Sequence, residues 1–196
     1  VMRGRTAESK ARGVAGAGVE SGDGDRGGTE ALDAARRGVE TVAVTATSMP
    51  YALNDGIRRV DHEGTLALIA AAEQANVRNF VYVSHSANVR HDSPFANAKR
   101  ACETRLRRGS MHTVIVRPCY FMEVWLAARL GFDPLRRTVR IYSGGESKVS
   151  YVSASDVAKF AAFAATTPPS TKHTILEVGG PGALSQLDAV DVFERA

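Results

Sequence analysis

Short β-branched runs alternate along this chain with longer alanine-rich stretches of helical period, a pattern that predicts an α/β protein with a parallel sheet. The predicted strands are Val1 to Arg3, Val19 to Ser21, Thr41 to Thr45, Asn79 to Ser84, Thr113 to Arg117 and Thr174 to Val178. Leu53, Ile57, Val60, Gly64, Leu68, Ala71 and Ala75 fall on one stripe at a 3.6-residue period. They predict a long helix from about Asn54 to Ala75, lying across the sheet. Ser93-Pro94 offers a capping hydroxyl followed by a proline at the first helical position. Arg36-Arg37-Gly38 and Arg107-Arg108-Gly109 place cations in a last helical turn and a glycine just past it, where a left-handed residue is expected. The Ser185 to Asp188 spacing predicts a helix N-terminus with an acidic partner, and Asp156 a second helix start. Two short runs, Thr138 to Tyr142 and Lys148 to Val152, flank Ser143-Gly144-Gly145-Glu146 and predict a small hairpin. The glycine-rich stretch Gly13 to Gly28 reads as turns around a short strand.

Composition narrows the class. The 196 residues are 44% hydrophobic and 23% charged, enough chain for one core and too little for two. The longest apolar run, Leu66 to Ala72, falls far short of the ~20 residues of a membrane helix. No charged-then-apolar leader opens the sequence, and Cys102 and Cys119 form no framework, so a reduced, cytoplasmic setting is the expectation. The net charge of +4 is spread along the chain rather than gathered on one stretch, which argues against a nucleic-acid partner. The five histidines include no HxH or HExxH spacing, so no metal site is expected. The expected partner is a small molecule, with oligomeric state open.

A set of ordered motifs carries more. Val60-Asp61-His62-Glu63-Gly64-Thr65, Ala70-Ala71-Ala72 and Val77 through Ser84 resemble the fourth helix and fifth strand of short-chain dehydrogenase/reductases. Lys99, Glu103, Arg117-Pro118 and Phe121-Met122-Glu123 resemble the atypical, NmrA-like branch. So do Val152 through Ala158 and Glu177-Val178-Gly179-Gly180-Pro181. The match runs in order over nearly all of the chain. It implies a Rossmann-type doubly wound parallel sheet in a single NAD(P)-binding domain over residues 1–196, with a small substrate-side excursion at about 119–153. Members open with a strand and a GxxGxxG turn that holds the cofactor pyrophosphate at a helix N-terminus. Here Val1-Met2-Arg3-Gly4-Arg5 already resembles the second strand, and the fingerprint is absent. The expectation is a partial domain, an internal fragment of a longer chain, with a gap in the sheet where the first strand belongs.

The resemblance also assigns candidate site residues. Arg5 falls where the second strand meets the adenosine ribose; arginine there favours the 2′-phosphate of NADP over NAD, and Lys10 adds a second charge. Both also read as plain solvated cations. Asp23, after Gly22, matches an adenine contact or is a turn residue. Thr45, Ala46 and Thr47 end a strand at the edge where ligands lie in such sheets, and Ser84 and Pro118 end the two strands that follow. The superfamily's Tyr-x-x-x-Lys pair uses a lysine to bring a phenol's pKa down from ~10 so that it can exchange the substrate proton. The corresponding segment is Phe95-Ala96-Asn97-Ala98-Lys99, so the usual acid is missing while Lys99 remains to hold the nicotinamide ribose. Ser86 resembles the family's catalytic serine, or is a strand-end turn serine. Tyr120 either turns its phenol toward the nicotinamide or shapes the pocket wall with Phe121 and Trp125. His85 and His91 lie near the same edge, as proton shuttles or surface imidazoles.

Two functions follow from the resemblance. One is an NAD(P)H-dependent oxidoreductase that passes hydride to a small carbonyl, enone or quinone-like molecule, with Lys99, Ser86 and Tyr120 at the reacting end and the proton from water, Ser86 or Tyr120. The other is a sensing or scaffold protein that binds NAD(P) without turnover, a reading raised by Phe95. A sugar-nucleotide epimerase or dehydratase ranks third, because that chemistry also needs the missing phenol.

Overall fold

A computed structural model describes residues 39–49, 55–89, 92–167 and 169–195. In chain order the elements begin with β1 (Thr41–Val44), a π-helical segment (Ile57–Gly64) that continues into α1 (Thr65–Gln74), β2 (Asn79–Val83), α2 (Pro94–Arg108) and β3 (His112–Pro118). Then come the two-residue β4 (Tyr120–Phe121), the short α3 (Met122–Trp125), β5 (Phe132–Asp133) and β6 (Thr138–Val139). The last are β7 (Tyr151–Val152), α4 (Ala154–Thr166), β8 (His173–Val178) and α5 (Gln186–Glu194). The main sheet has the order β1-β2-β3-β8, and every neighbouring pair is parallel.

Both faces of this sheet are covered, which is why its strands read as nearly unbroken apolar runs. Side chains alternate across a strand. Along β2, Phe80 and Tyr82 therefore pack with Ile69 and Ala72 of α1 and Cys102 and Leu106 of α2. Val81 and Val83 point the other way and meet Val114 and Val116 of β3 and Val157, Ala161 and Ala164 of α4. The result is a Rossmann-type layered α/β fold. Of the predicted strands, the four from Thr41 onward are present to within a residue. Val1 to Arg3, Val19 to Ser21, the Arg36-Arg37-Gly38 helix end and the expected gap beside the second strand lie outside the described residues.

Three local expectations are corrected. The stretch predicted as one regular helix from Asn54 begins as π-helix, with Thr65 Oγ1 donating to the Val60 carbonyl at 3.0 Å. Its i→i+5 hydrogen bonds hold more residues per turn than the α ladder that follows. Asp61, Thr65, Ile69, Ala71 and Ala72 are buried outright; of the predicted stripe positions Ala71 is therefore buried, whereas Ile57, Val60, Gly64, Leu68 and Ala75 are half-buried. Gly109 is extended (φ −82°), not left-handed. A Cβ there would crowd Glu73 Oε1, the end of a side chain that pairs with Arg105, so glycine leaves room for that pair. The predicted hairpin does not form. Thr138–Val139 folds back antiparallel on Phe132–Asp133, and Tyr151–Val152 runs parallel beside Tyr120–Phe121. Burial decides this: Tyr151 and Val152 are buried, and Val152 joins the core under α4, a place that a solvent-exposed hairpin would deny it.

The predicted caps are in place. Ser93 Oγ accepts from the Ala96 amide at 3.1 Å, with Pro94 next. At the helix start predicted from Asp156 the cap is Ser153, whose Oγ accepts from the Asp156 amide at 3.0 Å, and Ser185 and Asp188 form a reciprocal capping box.

Candidate functional site

Because the four strands run the same way, their C-terminal ends share one edge, the edge at which open α/β sheets place ligands. Three loops meet there: Thr45 to Ser48 after β1, Ser84 to Ser86 after β2, and Cys119 after β3. The parallel ladder continues past the strands, with the Ser84 amide donating to Val116 O at 2.7 Å, Ser86 to Pro118 O at 2.9 Å and Cys119 to Val178 O at 2.9 Å.

Lys99 reaches this edge from α2. Only 2% exposed, it places Nζ 3.4 Å from Asp61 Oδ1 and donates to the Val83 carbonyl, also at 3.4 Å. The Tyr82 and Phe95 ring centroids lie 5.1 and 5.3 Å from the ammonium, close enough for cation–π attraction. Asp61 is fully buried, and its Oδ2 accepts from the Ser48 amide at 3.0 Å and from Ser48 Oγ at 2.5 Å. A buried charge persists only when paired and hydrogen-bonded; here the two charges pair with each other, while Ser48 and the Val83 carbonyl supply the hydrogen bonds. Asp61 Oδ1 faces the ammonium without a hydrogen bond, so that contact is an ion pair alone. Cys102 Sγ donates to the Asp61 backbone carbonyl at 3.4 Å, and burial pushes its thiol pKa up, so it is packing rather than a nucleophile. Burial likewise drives the Tyr82 phenol far above its usual range.

Ser84 and Ser86 belong to a second, separate cluster. Glu103, 1% exposed, accepts a fork from Arg117 (Nε to Oε1 3.0 Å, Nη2 to Oε2 2.6 Å) and the Ser84 hydroxyl at 2.5 Å. Arg100 also bonds to Glu103 and to the His85 carbonyl. Arg117 Nη1 continues to Glu177 Oε1 at 3.1 Å. Glu177 in turn accepts the Ser86 hydroxyl at 2.7 Å and the Ala87 amide at 3.2 Å. Ser86 Oγ itself accepts from the Asn88 amide at 3.1 Å. Burial alone would raise the Glu103 pKa. The Arg117 and Ser84 hydrogen bonds and the charges of Arg100 and Arg117 outweigh it and hold the carboxyl below its usual range. Both serine hydrogens are thus committed to carboxylates, and the loop that carries them is gripped from β3, β8 and α2.

Aromatic rings complete the edge. Tyr120 stacks on Trp125 with centroids 4.4 Å apart and planes 11° from parallel, and meets Tyr151 edge-on at 6.5 Å. Burial, then the nearby Cys119, raises the Tyr120 phenol pKa. Phe95 packs T-shaped against His85 at 5.5 Å. Of the other candidates, Thr45 and Thr47 are exposed, Ala46 is half-buried, and Pro118 is buried with its carbonyl on Ser86. Arg5, Lys10, Asp23 and His91 lie outside the described residues.

The sequence motifs quoted Asp61, Glu103 and Glu177 as family marks without assigning them a task. Glu103 falls one turn beyond Lys99, a spacing that shares a helix face. Asp61, four residues after Ile57 and three before Gly64, borders the predicted stripe, but as a charged residue it drops out of a stripe read from apolar and small positions. Among the described residues no three His, Cys, Asp or Glu side chains gather to hold a metal ion, and no helix is long and apolar enough to cross a membrane.

Comparison with known proteins agrees with this geometry. A family model described as NAD(P)H-binding matches residues 2–168. The photosystem II assembly factor Ycf39 of Trieres chinensis is 30% identical over 174 residues, covering 88% of this chain and 53% of its own. The NAD(P)H azoreductase of Xenophilus azovorans is 31% identical over 191 residues, covering 96% of this chain and 62% of its own. In fold, the chain matches the NADPH-dependent quinone oxidoreductase QOR2 of Escherichia coli with a TM-score of 0.79 at 21% identity, covering 96% of this chain and 63% of that one. The chain spans 53% and 62% of the length of these two curated relatives, and its activity is argued on that footing.

Proposed function

This chain belongs to the NAD(P)H-binding family, as its resemblance to atypical short-chain dehydrogenase/reductases implied, and from that premise we propose that it serves an NAD(P)H-dependent reductase of conjugated acceptors. The observation that carries the reading is the Lys99 seat. A buried ammonium, paired with a buried carboxylate, stands at the ligand edge of the sheet, beside the small residues Thr45 to Thr47. Such a seat positions Lys99 to donate to a ribose hydroxyl, with Asp61, itself fully buried, holding the ammonium from behind. Ser84 and Pro118 form the neighbouring rim, with Ser86 and Tyr120 nearest the reacting end. The 2′-phosphate preference rests on Arg5 and Lys10, and Arg5→Ala is expected to weaken NADPH far more than NADH.

When bound, the cofactor supplies a hydride; one proton from elsewhere completes the two-electron reduction. The protein's own groups point to water as that proton's source. Position 95 is a phenylalanine, the Ser86 hydrogen is shared with Glu177, and the Tyr120 phenol has a raised pKa. A site without a committed acid favours acceptors whose reduced anion is already stable, such as quinones, enones and azo compounds. It disfavours isolated ketones, whose alkoxide needs a proton in the transition state. The azoreductase relative supports this substrate class.

The test is NADPH oxidation against a panel of quinones, azo dyes and simple aldehydes. Turnover confined to the conjugated members is expected. Tight NADPH binding with no turnover on any acceptor would replace this reading with a second, a cofactor-binding assembly or sensing role. Phe95 and the similarity to an assembly factor favour that second reading.

A further inference from the structure

We propose that the outer face of the Trp125 indole is the platform on which the acceptor stacks, so that the substrates of this site are planar, conjugated ring systems. The inference rests on the reductase reading above and adds to it a binding surface. Three rings form a ladder from the interior outward: Tyr151 is buried, Tyr120 half-buried, and Trp125 42% exposed. Tyr120 covers one face of the indole, so the 42% exposure of Trp125 falls on its other face and its edges. Offset stacking on such a face is the geometry aromatic rings prefer.

Two further observations separate this indole from an incidental surface aromatic. First, it is held in place. The helix that carries it, α3, is tied to the start of α4 by both Glu123 carboxylate oxygens, which accept the Ala154 amide at 2.9 and 3.0 Å. The Glu123 carbonyl also accepts from Arg129 at 3.2 Å, and the Leu126 amide closes the turn on Met122 at 2.8 Å. A ring already ordered by folding loses little freedom when a ligand stacks on it. Second, it hangs from the ligand edge. Tyr120 follows two residues after Pro118, whose carbonyl accepts the Ser86 amide. The stack therefore begins where the reacting end lies.

Trp125 is the single tryptophan in the sequence, so its own emission reports on the platform. Titration of the chain with menadione is expected to quench that emission saturably, beyond an N-acetyltryptophanamide control, whereas decalone, saturated and puckered, leaves it unchanged. In turnover, Trp125→Ala is expected to raise the menadione KM roughly tenfold while leaving kcat within about twofold. NADPH affinity should not change, and Trp125→Phe should recover most of the loss. Circular dichroism of both variants checks that the fold is kept. Absence of saturable quenching, or an unchanged KM in Trp125→Ala, overturns the platform while leaving the reductase reading intact. If no acceptor is turned over, the reductase reading falls by itself, and the menadione quench alone decides the platform.

Discussion

The Lys99 ammonium stands 3.4 Å from Asp61 Oδ1, and neither side chain has meaningful contact with bulk water. Asp61 shares the buried face of its segment with Thr65, Ile69 and Ala72, positions four, eight and eleven residues on. Ser48 then fixes the second carboxylate oxygen from the loop after β1, so one ion pair links the ends of two strands to α2.

Asp61→Ala should leave the Lys99 charge buried without its partner and cost about 3–5 kcal/mol of folding stability. Asp61→Asn, which keeps the Ser48 contacts, should cost less, and the double variant Asp61→Asn with Lys99→Met should regain most of the loss. Urea unfolding of the three variants checks the order. Equal losses in all three would mean that the pair is not coupled.

Glu103 gives a pH signature. Its folded pKa lies below the unfolded carboxylate value of about 4.3, so its contribution is fully present above that value and lost as pH falls through the folded pKa. The urea midpoint of the parent should therefore fall as the medium is acidified below about pH 4.3. Glu103→Gln should be less stable by roughly 3 kcal/mol at neutral pH and show a flatter acid limb.

The Ser86–Glu177 hydrogen bond bears on the proton source. Removing a general acid typically costs 10²–10⁴ in rate, whereas Ser86→Ala should slow quinone reduction by only about threefold if water supplies the proton. Stopped-flow NADPH oxidation by the variant decides between the two.

Phe95→Tyr would set a phenol beside the Lys99 ammonium, whose distance to the present ring centroid is 5.3 Å. Aldehyde reduction should then rise by at least roughly tenfold over the parent and acquire a pH dependence that quinone reduction lacks. No gain in aldehyde turnover would mean that the ring does not face the reacting end.

Gly180→Ala tests the packing under the aromatic ladder. An added Cβ would overlap the Tyr151 carbonyl oxygen, which is backbone and has no rotamer by which to yield. A loss of about 1–3 kcal/mol is expected in thermal or urea unfolding.

The apolar runs at Asn79 to Ser84 and Thr113 to Arg117 determined a parallel layered sheet before any coordinates, because a strand covered on both faces has no polar face to show. Ser93, Asp156 and Ser185 likewise announced their helix starts, since a helix end depends only on residues within one turn. Phe95 declared the missing acid by its side chain alone. Tertiary structure decided the rest: which way the segment around Asp61 turns, that Tyr151 joins Tyr120 instead of closing a hairpin, and that Ser86 spends its hydrogen on Glu177, ninety-one positions away. Each of these depends on which distant group buries a surface or answers a charge, and local period and propensity hold no information about that partner.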